Sequence, residues 1–210
     1  MKAKLTGIKA IIFDLGNVLL NLDVEAAIHA FRELASGAPE LDYRQAYADP
    51  VFNELETGKI TPAGFRRRVR QILNNPGITD AAIDNAWCAI IDDIPEHRVK
   101  TLRKLGKKYD VYLFSNTNPI HVEHLHNEFE AAFGIELPSL FIDHYYSYQL
   151  GERKPDVRSF EKVIQLSGIN PEKTLFVDDL EENIAGAEKA GLQTFWLKKG
   201  MEFSEVFPAF

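Results

Sequence analysis

Between Ile8 and Phe13 the chain is apolar but for Lys9, and this stretch stops abruptly at Asp14. A strand with apolar residues on both sides of the pleat has no face for water, so it belongs in the middle of a parallel sheet covered on both sides. Shorter runs of the same kind recur at Val111–Phe114, Thr174–Val177 and, more weakly, Thr194–Leu197. Helical patterns separate them at Glu96–Lys107, Ile120–Phe129, Val157–Ser167 and Glu181–Ala190, the last closed by Gly191. This alternation predicts an α/β fold with a doubly wound, Rossmann-like parallel sheet. From about Asp23 to Asp93 the alternation lapses: helical segments at Val24–Ala35, Tyr43–Leu55, Pro62–Leu73 and Asp80–Ile91 follow one another with no convincing strand, and Asp80 reads as an N-cap. The expected division is therefore a core of residues 1–20 and 96–210 with an inserted helical bundle over 21–95.

The apolar runs end in polar residues suited to one reaction. They are Asp14, then Ser115-Asn116, then Asp178-Asp179, with Lys154-Pro155 between the last two. Taken singly, Asp and Ser are common where a strand turns or a helix is capped. Taken together they converge, because the carboxyl ends of parallel strands meet in one crevice. Three acids crowded there repel one another, and a Mg²⁺ ion would relieve the repulsion, since it favours a few carboxylates and a phosphate in its shell. The lysine and the hydroxyl would supply further donors for a phosphoryl group.

Four segments in order resemble the motifs of the haloacid dehalogenase superfamily: Phe13-Asp14-Leu-Gly-Asn-Val18, Phe114-Ser-Asn-Thr-Asn118, Arg153-Lys-Pro155 and Phe176-Val-Asp-Asp179 with Asn183. The position of the helical insertion, between the first and second motifs, is similar to that of the family's first type of cap. The resemblance implies Asp14 as the nucleophile that becomes an aspartyl-phosphate and also binds the metal. It implies the Gly16 carbonyl, Asp179 and Asp178 as further metal ligands, Asp178 directly or through water. Ser115 and the amide of Asn116 would hold phosphate oxygens, Lys154 would neutralise the nucleophile and the transferring group, and Asn183 would orient the acidic loop. A phosphatase acting on a small phosphorylated metabolite such as a sugar phosphate is the activity implied.

The usual phosphatases of this family place a second Asp two residues after the nucleophile, where it serves as general acid and base; this chain has Gly16. A bacterial subgroup similar to an α-D-glucose-1-phosphate phosphatase shares the Asp-Leu-Gly-Asn-Val style, which makes the glycine a subgroup feature. His121, Asp23 and metal-bound water are the candidates for the missing acid, with Asp23 better read as an N-cap and the histidines as packing or surface residues. Glu56-x-Gly58-x-Ile60 reads as a structural connection. Two other activities compete: a metal-independent 2-haloacid dehalogenase, against which the Asp178-Asp179 pair argues, and a module that binds a phosphorylated ligand without turnover.

A formal net charge of −7 argues against a nucleic-acid footprint, and Arg66, Arg67, Arg68 and Arg70 spread around a helix instead of forming one stripe. No apolar run reaches the length of a membrane span. Cys88 is the single cysteine, expected in a packed helix, and a reducing, cytoplasmic setting is expected.

Overall fold

The computed structural model describes residues 3–35 and 49–207. Its sheet is parallel throughout, with strands β1 (Ala10–Phe13), β2 (Asp110–Ser115), β3 (Asp143–Tyr146), β4 (Thr174–Asp178) and β5 (Gln193–Trp196) in the order β3-β2-β1-β4-β5. Phe13 is level with Leu113 and with Val177, so Asp14, one residue on, leaves the sheet between Phe114 and Asp178. Its amide still bonds the Val177 carbonyl at 2.9 Å. The central strand is buried on both sides, as its lack of a polar face requires. Ile11 and Phe13 pack with Leu113, Val177, Phe129 and Phe203, while Ala10 and Ile12 pack with Phe114, Phe160, Phe176 and Ile184.

Helices α1 (Val24–Leu34), α2 (Pro50–Glu56), α3 (Pro62–Ile72) and α4 (Asp80–Cys88) precede the return to the sheet through α5 (Glu96–Leu105). The first half of the expected Tyr43–Leu55 helix lies outside the described residues. These helices share an apolar cluster of their own, in which Ile28, Phe31, Leu55, Phe65, Val69, Ile83 and Trp87 are joined by Ile120 from the sheet side. Caps explain where they begin: Asp23, Asp49 and Thr61 accept hydrogen bonds from Ala26, Val51 and Gly64. Thr79, not Asp80, caps α4 through the Ala82 amide; the hydroxyl one residue earlier takes the cap and Asp80 starts the helix. The two chain crossings into and out of this region run antiparallel. Leu22 bridges Ile91, and Asn21 and Asp23 donate backbone bonds to Asp93 and Ile90.

The second half of the sheet side consists of α6 (Pro119–Phe133), α7 (Ser147–Leu150), α8 (Val157–Ser167), α9 (Glu181–Lys189) and α10 (Phe203–Val206). Helix α6 starts on Asn118, whose side chain accepts from Ile120 and His121, and stops on Gly134 in the left-handed conformation (φ 66°). Strand β3 escaped the sequence reading because it reads Asp-His-Tyr-Tyr, with its first half not buried. It is an edge strand, and edges need no continuous apolar run. Among the described residues no helix is long and apolar enough to cross a membrane.

Candidate active site

Asp14, Asp178 and Asp179 come together at the carboxyl ends of β1 and β4, each offering an oxygen within 4.8 Å of the others. Lys154 reaches into the same place from the loop before α8, and its Nζ donates to Asp14 Oδ1 at 2.6 Å, Asp178 Oδ2 at 2.7 Å and the Phe114 carbonyl at 3.0 Å. The ammonium lies 5.2 Å from both the Phe114 and Phe176 ring centroids, and the residue is 1% exposed. Burial opposes its charge, but Asp14 and Asp178 outweigh that and keep it protonated. Burial drives the Asp14 carboxyl well above the ordinary carboxylate range; Lys154 pulls it back, and Asp178 and Asp179 push it further up. One ammonium among three carboxylates leaves an excess of negative charge in a buried place, and that donor set suits a hard divalent cation.

The two neighbouring acids differ in what they have left to give. Asp178 is fully buried and already accepts from Leu180 N (2.9 Å), from Asn183 Nδ2 at both oxygens (3.0 Å each) and from Lys154. Among the described residues Asn17 Nδ2 is the side-chain donor to Asp179, at 3.1 Å on Oδ2. Burial raises its pKa, which Asn17 opposes. Asn17 adopts a positive φ of 54°, a conformation that Asn tolerates better than most residues, and also accepts from the Leu22 amide. The Trp196 indole donates to the Asp179 carbonyl at 2.9 Å, fixing the loop from behind.

Ser115 ends β2, 3% exposed, beside Asn116. The Asn116 side chain is committed elsewhere: it donates to the Lys154 carbonyl (2.9 Å) and accepts from the Lys154 amide (3.0 Å). Any contact from Asn116 to a ligand therefore falls to its backbone N–H. A cavity of about 130 Å³ opens over this edge, lined by Gly16, Ser115, Asn116, Thr117 and His121 from the sheet side and by Leu22, Glu56, Trp87 and Ile90 from the crossings and helices above.

A family model described as haloacid dehalogenase-like hydrolase matches residues 8–191. The chain belongs to the haloacid dehalogenase-like hydrolases. Among curated relatives, a D-ribitol-5-phosphate phosphatase from Bacteroides thetaiotaomicron is 30% identical over 94% of this chain and 96% of its own length. A glyceraldehyde 3-phosphate phosphatase from Pyrococcus furiosus is 27% identical over 92% of this chain and 82% of its own. Among solved structures, a HAD family enzyme from B. thetaiotaomicron, in complex with magnesium and inorganic phosphate, superposes with a TM-score of 0.88 at 35% identity, covering 96% of this chain and all of that one.

Within this hydrolase the residues singled out by motif, Asp14, Gly16, Ser115, Asn116, Lys154, Asp178 and Asp179, all gather at one sheet edge, and Asn183 grips Asp178. The candidates for the missing acid fare differently. Asp23 caps α1 through the Ala26 amide. His121 does line the cavity, but its Nε2 faces the Trp87 carbonyl at 3.1 Å, and burial drives the ring down to about 4, so at neutral pH it is the neutral imidazole and not the imidazolium that a general acid needs. Asn17, Glu56 and Trp87 were missed. Asn17 stood inside a quoted motif, whereas nothing in the local pattern around Glu56 or Trp87 marks either as facing the site.

Proposed function

We propose that the chain is a Mg²⁺-dependent phosphatase that hydrolyses a small sugar or polyol phosphate through an aspartyl-phosphate on Asp14. The observation that carries this reading is the buried Lys154, shared between Asp14 and Asp178, with Asp179 alongside. Asp14 Oδ1 is held by the ammonium, which orients the carboxylate and offsets charge as its oxygen attacks phosphorus. Ser115 and the Asn116 N–H hold phosphoryl oxygens. Asp14, the Gly16 carbonyl and Asp179 would hold the metal, with Asp178, whose oxygens are already used, standing behind them. When bound, Mg²⁺ would stabilise charge on the phosphoryl oxygens as a Lewis acid. Water entering from the cavity then cleaves the acyl-phosphate and frees Asp14. Gly16 offers no side chain to protonate the leaving oxygen, so esters with good leaving groups are expected to react fastest. The relatives' named substrates, ribitol 5-phosphate and glyceraldehyde 3-phosphate, support a short hydroxyl-bearing leaving group.

The division into a core of 1–20 and 96–210 and a cap of 21–95 belongs to this reading; the separate apolar cluster of the helices and the paired crossings at Leu22 and Ile91 support it. A single buried cysteine suits a reducing cytoplasm. The test is phosphate release from a panel of sugar, polyol and aryl phosphates with Mg²⁺ and with EDTA, alongside Asp14→Asn. Release that needs Mg²⁺ and falls more than about 10³-fold in the variant is expected, from loss of nucleophile and metal ligand together. Metal-independent halide release from a 2-haloacid, without phosphate release, would overturn the reading.

A further inference from the structure

Of the residues that line the cavity over Ser115, Glu56 brings the one carboxylate from the helices above, and the chemistry at Asp14 leaves it without a task. It ends α2, and its Oε2 lies 3.2 Å from Nη2 of Arg153, the residue before the active-site lysine. Arg153 Nη1 is held in turn by Asn53 Oδ1 at 3.0 Å, on the exposed side of the same helix. Glu56 lines the cavity and Arg153 does not. Beyond this ion pair Glu56 accepts no further hydrogen bond among the described residues, and its side chain stays 20% exposed. Of the neighbouring lining from this side Leu22, Ile90 and Ile91 are apolar and Trp87 is aromatic, and His121 opposite is neutral. A carboxylate with one ionic partner keeps acceptor capacity for the donors of a ligand in the cavity.

The turn after α2 is seated too closely on the core for Glu56 to be there by accident of a loose loop. Gly58 takes a positive φ of 67°, and a Cβ there would stand 2.4 Å from the Tyr148 carbonyl oxygen. The backbone thus comes down onto α7 where only glycine fits. We propose that Glu56 selects the leaving group, accepting hydrogen bonds from hydroxyls of a neutral polyol or sugar and turning away leaving groups that carry a carboxylate of their own. Burial raises the Glu56 carboxyl above its ordinary range against the pull of Arg153. The inference rests on the phosphatase reading and names its substrate class.

The experiment compares kcat and KM of the whole protein, with Mg²⁺, on ribitol 5-phosphate and on 2-phosphoglycolate, for wild type, Glu56→Gln and Asn53→Ala. Wild type prefers the polyol ester. Glu56→Gln shrinks the ratio of the two kcat/KM values roughly 10- to 100-fold, mainly through KM, because it removes a charged acceptor from one ligand and a repulsion from the other. Asn53→Ala, which loosens Arg153 and leaves the carboxylate, keeps the ratio. An unchanged ratio in Glu56→Gln overturns the inference, and so does an equal shift in Asn53→Ala, which would make Glu56 a clamp for Arg153. If wild type hydrolyses neither these two esters nor any of the sugar, polyol and aryl phosphates, the phosphatase reading fails by itself. The same ratio, taken from calorimetric Kd values, then judges Glu56: a preference lost in Glu56→Gln upholds it, and equal ratios or no binding sink it.

Discussion

The crevice at the sheet edge and the helices above it are both laced with ion pairs, yet the two sets do different things. In the crevice one lysine, 1% exposed, serves two carboxylates between two phenylalanine rings. In the helical region Arg66 forks onto Asp84 at 2.8 and 2.6 Å, Arg68 pairs with Asp49, and Arg70 with Asp80, all with water at hand. Three of the arginines spread around this helix are thus struts: Arg66 and Arg70 tie α3 to α4, and Arg68 ties it to the start of α2. The contrast teaches that an ion pair reads as chemistry where it is fully buried and unbalanced, and as bracing where it is partly exposed and matched.

Removing the charge from each set separates these roles most sharply. Lys154→Met keeps the aliphatic stem between Phe114 and Phe176 but strands Asp14 and Asp178 without a counter-ion. A loss of about 3–5 kcal/mol is expected in metal-free urea unfolding, since a buried partner left alone pays its full desolvation. Asp84→Asn in the helical region, which weakens a partly exposed fork, should cost about 1–2 kcal/mol. Equal losses would mean that the crevice is wetter than its burial implies, and the contrast would collapse.

How much of each region was legible follows from the same difference. At the sheet edge, position along the chain nearly determines position in space: a residue that ends a buried parallel strand must arrive at the common edge. Asp14, Ser115 and Asp178 could therefore be placed from apolar runs alone, and Lys154 from its motif. Above the edge that logic is missing. Helix periodicity says that Trp87 and Leu55 are apolar and inward, but not which inward face meets Ser115. Glu56 comes to the cavity only because Gly58 seats its turn on Tyr148, a tertiary contact with no local signature. The edge strand Asp143–Tyr146 was missed for a related reason, being short and half-polar.

Gly16 lies where the two regions meet, and it tests whether the missing acid is absent for want of space. Its φ is not in the left-handed range, so backbone angle does not demand glycine there. A Cβ, however, would stand 2.6 Å from Leu22 Cδ1, the side chain at the first crossing. Gly16→Asp alone should therefore cost about 1–3 kcal/mol through overpacking and gain little activity. With Leu22→Ala to make room, turnover of alkyl phosphates should rise up to roughly 10²-fold over the single variant, while 4-nitrophenyl phosphate, whose leaving group needs no proton, should barely change. A double variant no better than the single one would show that the loop cannot aim a carboxyl group at the leaving oxygen.

A further contrast lies away from the site, where the buried Arg98 and its partner Glu202 can be set against the partly exposed pairs of the helical region. Glu202 caps α10 through Ser204 N and receives Arg98 Nε and Nη2 at 3.0 Å each, with His97 Nε2 at 3.1 Å. Burial would raise its carboxyl, but the Arg98 fork, the Ser204 amide and His97 outweigh it and hold the group at about 2, below the 4.5 of a free glutamate. Because the folded value lies below the unfolded one, the unfolded chain takes up this proton more readily as acid is added. The pair's contribution is then complete above about pH 4.5 and is lost as the pH falls toward 2. Glu202→Gln should cost about 2 kcal/mol at pH 7, as for hydrogen bonds to a charged group. Unfolding of both proteins between pH 7 and 3 should show the gap narrowing once the pH drops below 4.5. A gap that stays constant with pH would mean that Arg98 fastens α10 by packing its stem, and the core pair would then resemble the exposed struts more than the buried lysine.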